Sequence, residues 1–287
     1  MNPLNALKKL FHHPEDSRDR QRIAIALARG GALLHKRRVD LANPGSWEFS
    51  GFSQHGDDGI LDVLLGQLQQ SDRTCVEIGS GDGVENNTCW LVVAEKFCGL
   101  MVEGDPWLAR RTRRNIVVHS IGSACLDVFV TRGSVVSLIG RMPSAKPDVF
   151  SLDIDGNDYH IMATLFGAGF RPKIIVVEYN AVFGSDRSLT IEYRDDFVLS
   201  RSHPSRLAYG VSMTAWKRLM TSHGYRFVTV ERSGVNSFFV DPSCFDAAFL
   251  DGIRGLSFAE NRYQLAKFGM AGDRQLHLLA GEKFLEV

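Results

Sequence analysis

The sequence predicts an α/β chain on a doubly wound, Rossmann-like sheet, and three stretches predict it. Residues 74–88 (TCVEIGSGDGVENNT) read as a short buried strand, a glycine-dense turn and the start of a helix. Residues 99–103 (GLMVE) form an apolar strand ending on an acid, one helical crossover further on. Residues 149–154 and 173–177 repeat the pattern, with Asp155 just after the first run and Glu178 just after the second. In such a sheet the carboxyl ends of the strands open onto the ligand crevice. All these acids therefore belong to one crevice.

Bulk properties set the class. With 287 residues, 44% of them apolar and 23% charged, the chain has the make-up of a soluble globular protein with one large domain or a domain with extensions. Lys plus Arg and Asp plus Glu balance at 33 each, which gives no overall pull toward nucleic acid or an anionic membrane. No apolar run approaches the ~20 residues of a spanning helix. Lys8 and Lys9 are followed by His12, His13 and Pro14, without the apolar core of a leader. Five cysteines (75, 89, 98, 125 and 244), an odd number without metal-type spacing, read as reduced thiols. A cytoplasmic protein is expected.

Taken in order, residues 1–50 read as an N-terminal helical extension, with a helix over 22–34 that a glycine pair ends or bends. Lys36, Arg37 and Arg38 read as a solvated face. Residues 52–60 (FSQHGDDGI) lead into a helix whose apolar positions 60, 61, 64, 65 and 68 keep a 3.6-residue spacing. Asp57 and Asp58 sit where a cap and first-turn acids belong, and Gln54 is expected beside the ligand. In the glycine turn, Gly79, Gly81 and Gly83 permit positive φ and close approach of a ligand to the backbone. A dinucleotide fingerprint wants a third glycine where this chain has Val84. A helix is expected from Asn86 to Phe97. Glu103 can accept hydrogen bonds from both hydroxyls of a ribose, and Asp105-Pro106 read as N-cap and first helical residue. The arginines at 110, 111, 113 and 114 follow on that helix as a solvated face. A third strand over 124–130 makes Asp127 and Phe129 the candidates near the base of a bound nucleotide, and a helix follows over 131–139.

The chemistry concentrates in residues 148–160 (DVFSLDIDGNDYH). Asp153 and Asp155 share a face by alternation along the strand, and Gly156 turns the chain toward a helix at Tyr159. Buried carboxylates are costly unless paired or bound to a cation. Parallel neighbours lie about 4.8 Å apart, so Asp155 and Glu178 are expected to converge with Asn180 beside them. An all-oxygen set suits Mg²⁺ or Ca²⁺ rather than zinc.

In combination, SQHGDDGIL, EIGSGDGVENNT, MVEGDP, LDIDGNDYH, VVEYNA and GVNSFFV resemble a bacterial family of S-adenosylmethionine (SAM) methyltransferases. It is akin to the FkbM-type and macrocin-type O-methyltransferases, which act on sugars and natural products. The resemblance covers residues 50–241 and implies a seven-stranded class I methyltransferase sheet. It implies that Glu77, Gly79 and Glu103 contact SAM; the wider cofactor set expected with them is Gln54, Gly81, Asp82, Asn87, Asp127 and Asp153. In the metal-dependent relatives, acids after the fourth and fifth strands hold Mg²⁺, and Asp155 and Glu178 match those places. The third place is Asn180 here, a neutral donor. Those relatives carry a histidine three residues after the first metal acid. This chain has Asp158 there and His160 two further on, so the catalytic set is Asp155 with Asp158 or His160 as general base.

Residues 181–207 read as a long polar loop serving as a lid over the acceptor. A helix over 209–223 ends at Gly224, and strands over 225–230 and 236–240 suit the antiparallel end of the sheet. Residues 242–287, with a helix-like stretch over 258–268, form a C-terminal extension that covers the acceptor site or joins copies in a homo-oligomer. The reading is a methyltransferase domain over 51–241 that methylates a hydroxyl of a small acceptor, a sugar or a glycan end, with SAM and Mg²⁺. An NAD-dependent oxidoreductase is opposed by Val84 and by the acids after the fourth and fifth strands. A nucleic-acid methyltransferase is opposed by DIDGND where an Asn/Asp-Pro-Pro-aromatic motif belongs. A non-catalytic SAM- or glycan-binding module would differ in showing no turnover.

Overall fold

The computed structural model describes residues 14–287, so residues 1–13 of the expected N-terminal extension, Lys8, Lys9, His12 and His13 among them, lie outside the described residues. Nine strands follow in chain order: β1 (Thr74–Ile78), β2 (Cys98–Glu103), β3 (Ala124–Asp127), β4 (Val149–Leu152), β5 (Ile174–Glu178), β6 (Leu189–Ile191), β7 (Arg226–Val230), β8 (Asn236–Val240) and β9 (Phe284–Glu286). Seven of them make one sheet in the order β3-β2-β1-β4-β5-β8-β7. The first five are parallel, and β8 runs antiparallel to both β5 and β7. This is the α/β sheet with an antiparallel end expected of a class I methyltransferase.

Alternation along the central strands sends side chains to two apolar layers. Cys75, Val149, Ile174 and Val176 pack on one face with Ile60, Leu61 and Leu64 of the helix Asp57–Gly66 and with Cys89–Val93. Val76, Ile78, Phe150, Leu152, Ile175 and Val177 pack on the other, against Val135, Ile161, Leu165, Trp216 and Met220. Those residues come from the helices Arg132–Ile139, Asp158–Gly167 and Met213–Ser222. Strands covered on both faces read as continuous apolar runs, which is why they stood out in the sequence. Among the described residues no helix is long and apolar enough to cross a membrane.

The chain leaves β1 toward β2 and leaves β4 toward β5, so the order reverses between two adjacent central strands. A crevice at the carboxyl ends of β1 and β4 follows from that reversal. The segment before β1 is brought there by Asp58, whose Oδ2 accepts hydrogen bonds from the amides of Gly51 (2.7 Å), Phe52 (2.8 Å) and Ser53 (3.0 Å). Burial pushes this carboxyl up to about 6. The Asp105 cap and Pro106 start are as expected, with Asp105 Oδ1 accepting from Trp107 and Leu108.

Four elements differ from expectation. The helix after the glycine turn is only Cys89–Val93, because the amides of Asn87 and Thr88 turn inward to Glu77. The third strand stops at Asp127. Residues 181–207 are not an open loop: they hold a 3₁₀ turn at Ala181–Phe183, strand β6 paired antiparallel with β9, and a short helix at Leu199–Ser202. Apolar residues scattered among the polar ones anchor them: Val182, Phe183 and Leu207 bury against Leu279, while Ile191, Phe197 and Tyr209 bury together. The C-terminal helix runs over Arg262–Phe268, starting at the Asn261 cap rather than at Phe258.

Replacing Asp58 by alanine strands three buried amide donors at about 1–3 kcal/mol each. Asp58→Ala is expected to lose about 3 kcal/mol or more in urea unfolding, and Asp58→Asn, which keeps one acceptor oxygen, less. A loss below about 1 kcal/mol for the alanine variant would show that the 51–53 turn does not depend on this carboxylate.

Candidate functional site

A cavity of about 520 Å³ lies at the carboxyl ends of β1, β2 and β4. Ile78, Gly79 and Gly81 line it from the glycine turn, Glu103 and Asp105 from the end of β2, and Asp153 and Asp155 from the chain leaving β4. Leu108, Val128, Phe129, Ile154 and Phe197 give it apolar walls. Gly79 has φ +90° and lies so close to β4 that a β-carbon would overlap the carbonyl oxygen of Asp153. Only glycine allows that contact. Glu103 Oε2 accepts from the amide of Gly81 (2.8 Å) and Oε1 from that of Asp105 (2.9 Å), and its burial raises the carboxyl above its ordinary value. A carboxylate has about four lone-pair positions, so two bonds to the turn leave acceptor capacity toward the cavity.

A second cavity of about 260 Å³ shares Gly79, Asp153 and Asp155 with the first and adds Gln54, His55, Glu77, Asn87, Glu178 and Asn236. Glu77 is a buried bracket: its carboxylate accepts from the amides of Asn87 (3.0 Å) and Thr88 (3.2 Å) and from the Thr88 hydroxyl (2.5 Å). Burial pushes it up to about 7. Asn87 in turn donates to Ser151 Oγ (3.1 Å). His55 is held neutral, its burial pushing the ring down to about 4.

Between the cavities Asp153, Asp155 and Glu178 each offer an oxygen within 4.8 Å of the others. Burial raises all three carboxyls; for Asp153 and Glu178 the neighbouring negative charges raise them further. Asp155 holds φ +53°, an uncommon backbone state for a residue with a side chain, and lines both cavities. Tyr209 donates its hydroxyl to Glu178 Oε1 at 3.1 Å. Three clustered acids without a cation among them fit a hard, oxygen-liganded divalent ion.

Other expected site residues go elsewhere. Asn180 is fully buried and spends its amide on the fold: Nδ2 donates to the carbonyls of Leu207 (2.8 Å) and Tyr209 (2.9 Å), and Oδ1 accepts from Val182 (3.1 Å). Asp153 stands where Asn180 was expected. Asp158 accepts from the amides of Ile154 (2.9 Å) and Gly156 (2.8 Å) and so holds the turn that carries Asp155. His160 has Nε2 at 2.8 Å from the Ile191 carbonyl and Nδ1 at 2.7 Å from Arg132 Nη2, and it lines neither cavity. Both ring nitrogens are occupied, which leaves no proton acceptor facing a substrate. Asp82 pairs with Arg22 (2.7 Å) and Arg111 (3.0 Å) outside the cavities. Asp127 is exposed, and its successors Val128 and Phe129 line the first cavity instead. Tyr209, Asn236 and Phe197 were not read as site residues; nothing local in the sequence ties Tyr209 to Glu178, 31 positions earlier.

No family model matches the sequence, and no curated protein is significantly similar to it. Similar solved structures include an O-methyltransferase from Bacillus cereus in complex with SAH, 16% identical with a TM-score of 0.42, over 76% of this chain and 89% of that one. The O-methyltransferase TomG from Streptomyces achromogenes, involved in tomaymycin synthesis and in complex with SAM, is 14% identical with a TM-score of 0.39, over 62% and 74%. A SAM-dependent methyltransferase from Clostridium acetobutylicum is 10% identical with a TM-score of 0.41, over 64% and 89%. Likeness at this level assigns no family, and the functional reading rests on the site.

Two glycines with positive φ separate backbone freedom from close contact. Gly81 (φ +57°) has open space around its missing β-carbon, whereas at Gly79 the space is filled by Asp153. Gly81→Ala is expected to cost about 1 kcal/mol for the strained backbone, and Gly79→Ala several times more, because the strands must also part. Equal losses in thermal unfolding would show that the β1–β4 contact carries no weight.

Proposed function

We propose that the chain is a SAM-dependent O-methyltransferase acting on a hydroxyl of a small acceptor, a sugar or a glycan end, with a divalent cation such as Mg²⁺. The observation that carries this reading is the charge of the large cavity. Glu103, Asp105, Asp153 and Asp155 line it, and among the described residues that line it there is no lysine or arginine. A dinucleotide would bring two phosphates against those acids; at 4 Å and an effective dielectric of 20, each like-charge pair costs about 4 kcal/mol. SAM carries no phosphate and adds a positive sulfonium, which the acids favour.

On this reading Glu103 accepts the ribose hydroxyls, the turn at Gly79–Gly81 lets the cofactor approach the backbone, and Val128 and Phe129 flank the adenine. SAM, when bound, supplies an electrophilic methyl group on its sulfur. Asp153, Asp155 and Glu178 would hold the cation, whose charge lowers the pKa of a neighbouring hydroxyl. Asp155 borders both cavities and accepts no hydrogen bond from the described residues, which supports it as the proton acceptor or as the cation's acceptor-side ligand; Asp158 is engaged by the amides of Ile154 and Gly156 and lines neither cavity, and both ring nitrogens of His160 are taken. Glu77, through Asn87 and Thr88, holds the turn in position, and alignment of the acceptor with the methyl group supplies much of the rate. Residues 51–241 would form the catalytic domain, with 1–50 and 242–287 as extensions.

Glu103→Ala is expected to weaken SAH binding by roughly 1.5–3 kcal/mol for each hydrogen bond lost. Calorimetric titration checks it, and unchanged affinity would remove the ribose assignment. NAD⁺ binding in place of SAH would replace the whole reading.

The acid cluster gives a pH dependence of defined sign. Each of the carboxyls at Glu77, Asp153, Asp155 and Glu178 has a folded pKa above its unfolded one. The stability they contribute is complete below the unfolded values near 4 and is lost as pH rises through the folded ones, Glu77 at about 7. The melting temperature of the ligand-free protein is expected to fall from pH 5 to pH 8. Millimolar Mg²⁺ should restore part of it at pH 8 in the wild type and not in Glu178→Gln. An equal Mg²⁺ effect in both would dismiss the cation site.

A further inference from the structure

A third cavity of about 190 Å³ opens beyond Asp155 and is lined by Arg206, Tyr209, Tyr263, Gln264 and Lys267. We propose that this cavity seats the acceptor and selects one that carries an anionic group, carboxylate or phosphate, on a hydroxylated ring. The proposal rests on the methyl-transfer reading for the use of the site and goes beyond it in naming what distinguishes the acceptor.

The first observation is an unmatched hydrogen-bond acceptor. Gln264 is 9% exposed, and its Nε2 lies 3.4 Å from both Asn180 Oδ1 and the Tyr209 hydroxyl. Those contacts fix which way the amide faces, and its Oε1 has no partner among the described residues. A buried carbonyl left unpaired costs about 1–3 kcal/mol, so the cavity wall calls for a ligand that donates, as a hydroxyl does. Tyr209 continues the chain from Gln264 to Glu178, joining this wall to the acid cluster.

The second observation is the sign of the charge. The first two cavities are lined by acids, and the third has Arg206 and Lys267 at its wall with Asp155 as its acid. Arg206 sits at φ +60°, and its guanidinium makes no hydrogen bond or ion pair with the described residues. Arg22, Arg111 and Arg132, by contrast, are engaged by protein groups. Lys267 leans over Phe268, 4.8 Å from the ring centroid, with only a 3.4 Å contact to the Ser205 carbonyl. Two cations with spare donors make a subsite for a carboxylate or phosphate. Tyr263, 61% exposed, offers a ring face beside His55 of the second cavity. An aromatic face, a hydroxyl-seeking carbonyl and two cations recognise the same kind of molecule, with its anion at Arg206 and Lys267 and a hydroxyl toward Asp155.

The test is binding of D-glucuronate, glucose 6-phosphate and glucose to the full chain, with SAH present, at one ionic strength, by saturation-transfer NMR and calorimetry. At least one charged sugar is expected to bind ten-fold or more tightly than glucose. Preference for glucuronate assigns a carboxylate, and preference for the phosphate ester a phosphosugar. The double variant Arg206→Gln/Lys267→Gln should lose that preference while SAH affinity stays the same. Equal binding of all three sugars, binding of none, or an undiminished preference in the double variant would overturn the proposal. Charge-selective binding that depends on Arg206 and Lys267, in a protein that does not bind SAH, would keep the anion subsite and discard methyl transfer.

Discussion

Mutual repulsion among Asp153, Asp155 and Glu178 is the constraint around which the rest of the site is arranged. Three carboxylates within 4.8 Å of one another would separate in a flexible chain. They are kept together because β4 and β5 are neighbours in a sheet buried on both faces, with Leu152 paired to Val177 one position before Glu178. The turn after β4 is then fixed by Asp158, which takes the amides of Ile154 and Gly156. On the β5 side, Tyr209 donates to Glu178. Apolar packing provides the work needed to hold the charges, and a cation or a positively charged cofactor would release it.

The same constraint orders the glycine turn. Gly79 lies against the Asp153 carbonyl, so the exits of β1 and β4 form one surface, and a ligand resting on the turn must also meet the acids. Glu77 acts from beneath: by gathering the amides of Asn87 and Thr88 it shortens the following helix to Cys89–Val93 and keeps the turn wide. In a helix begun at Asn86 those amides would be first-turn donors without an intrahelical acceptor, so the bonds they make to Glu77 satisfy both the donors and a buried carboxylate.

The sheet was legible because its strands are buried on both faces and its turns carry glycines and acids at the ends that matter. The glycine turn, Glu103, Asp155 and Glu178 could be placed on one crevice from strand order alone. Asn180, Asp158 and His160 could not be assigned, since spacing along a chain does not say which hydrogen bonds a side chain has already made. Asn180 is spent on the carbonyls of Leu207 and Tyr209, and His160 on Ile191 and Arg132, partners 27 to 31 positions away. The reading of residues 181–207 as an open loop missed their packing for a related reason. Their few apolar residues find partners in Leu279, in Tyr209 and in the last strand of the chain, at Phe284–Glu286.

Counting lone pairs separates the residues that build the site from those left to act in it. Asp158, Glu77 and Asp58 are acids whose carboxylates accept backbone amides, and each thereby fixes a segment of chain. Asp155 accepts no hydrogen bond from the described residues, borders all three cavities and sits in a backbone conformation that side chains rarely adopt. Strain at a residue without internal partners has to be held by its surroundings, here the Asp158 bracket and the close packing of Gly156 on Phe197. The carboxylate that the fold spends most to position is thus the one it leaves unpaired, at the single point where the cofactor-sized cavity, the polar cavity and the cationic cavity meet.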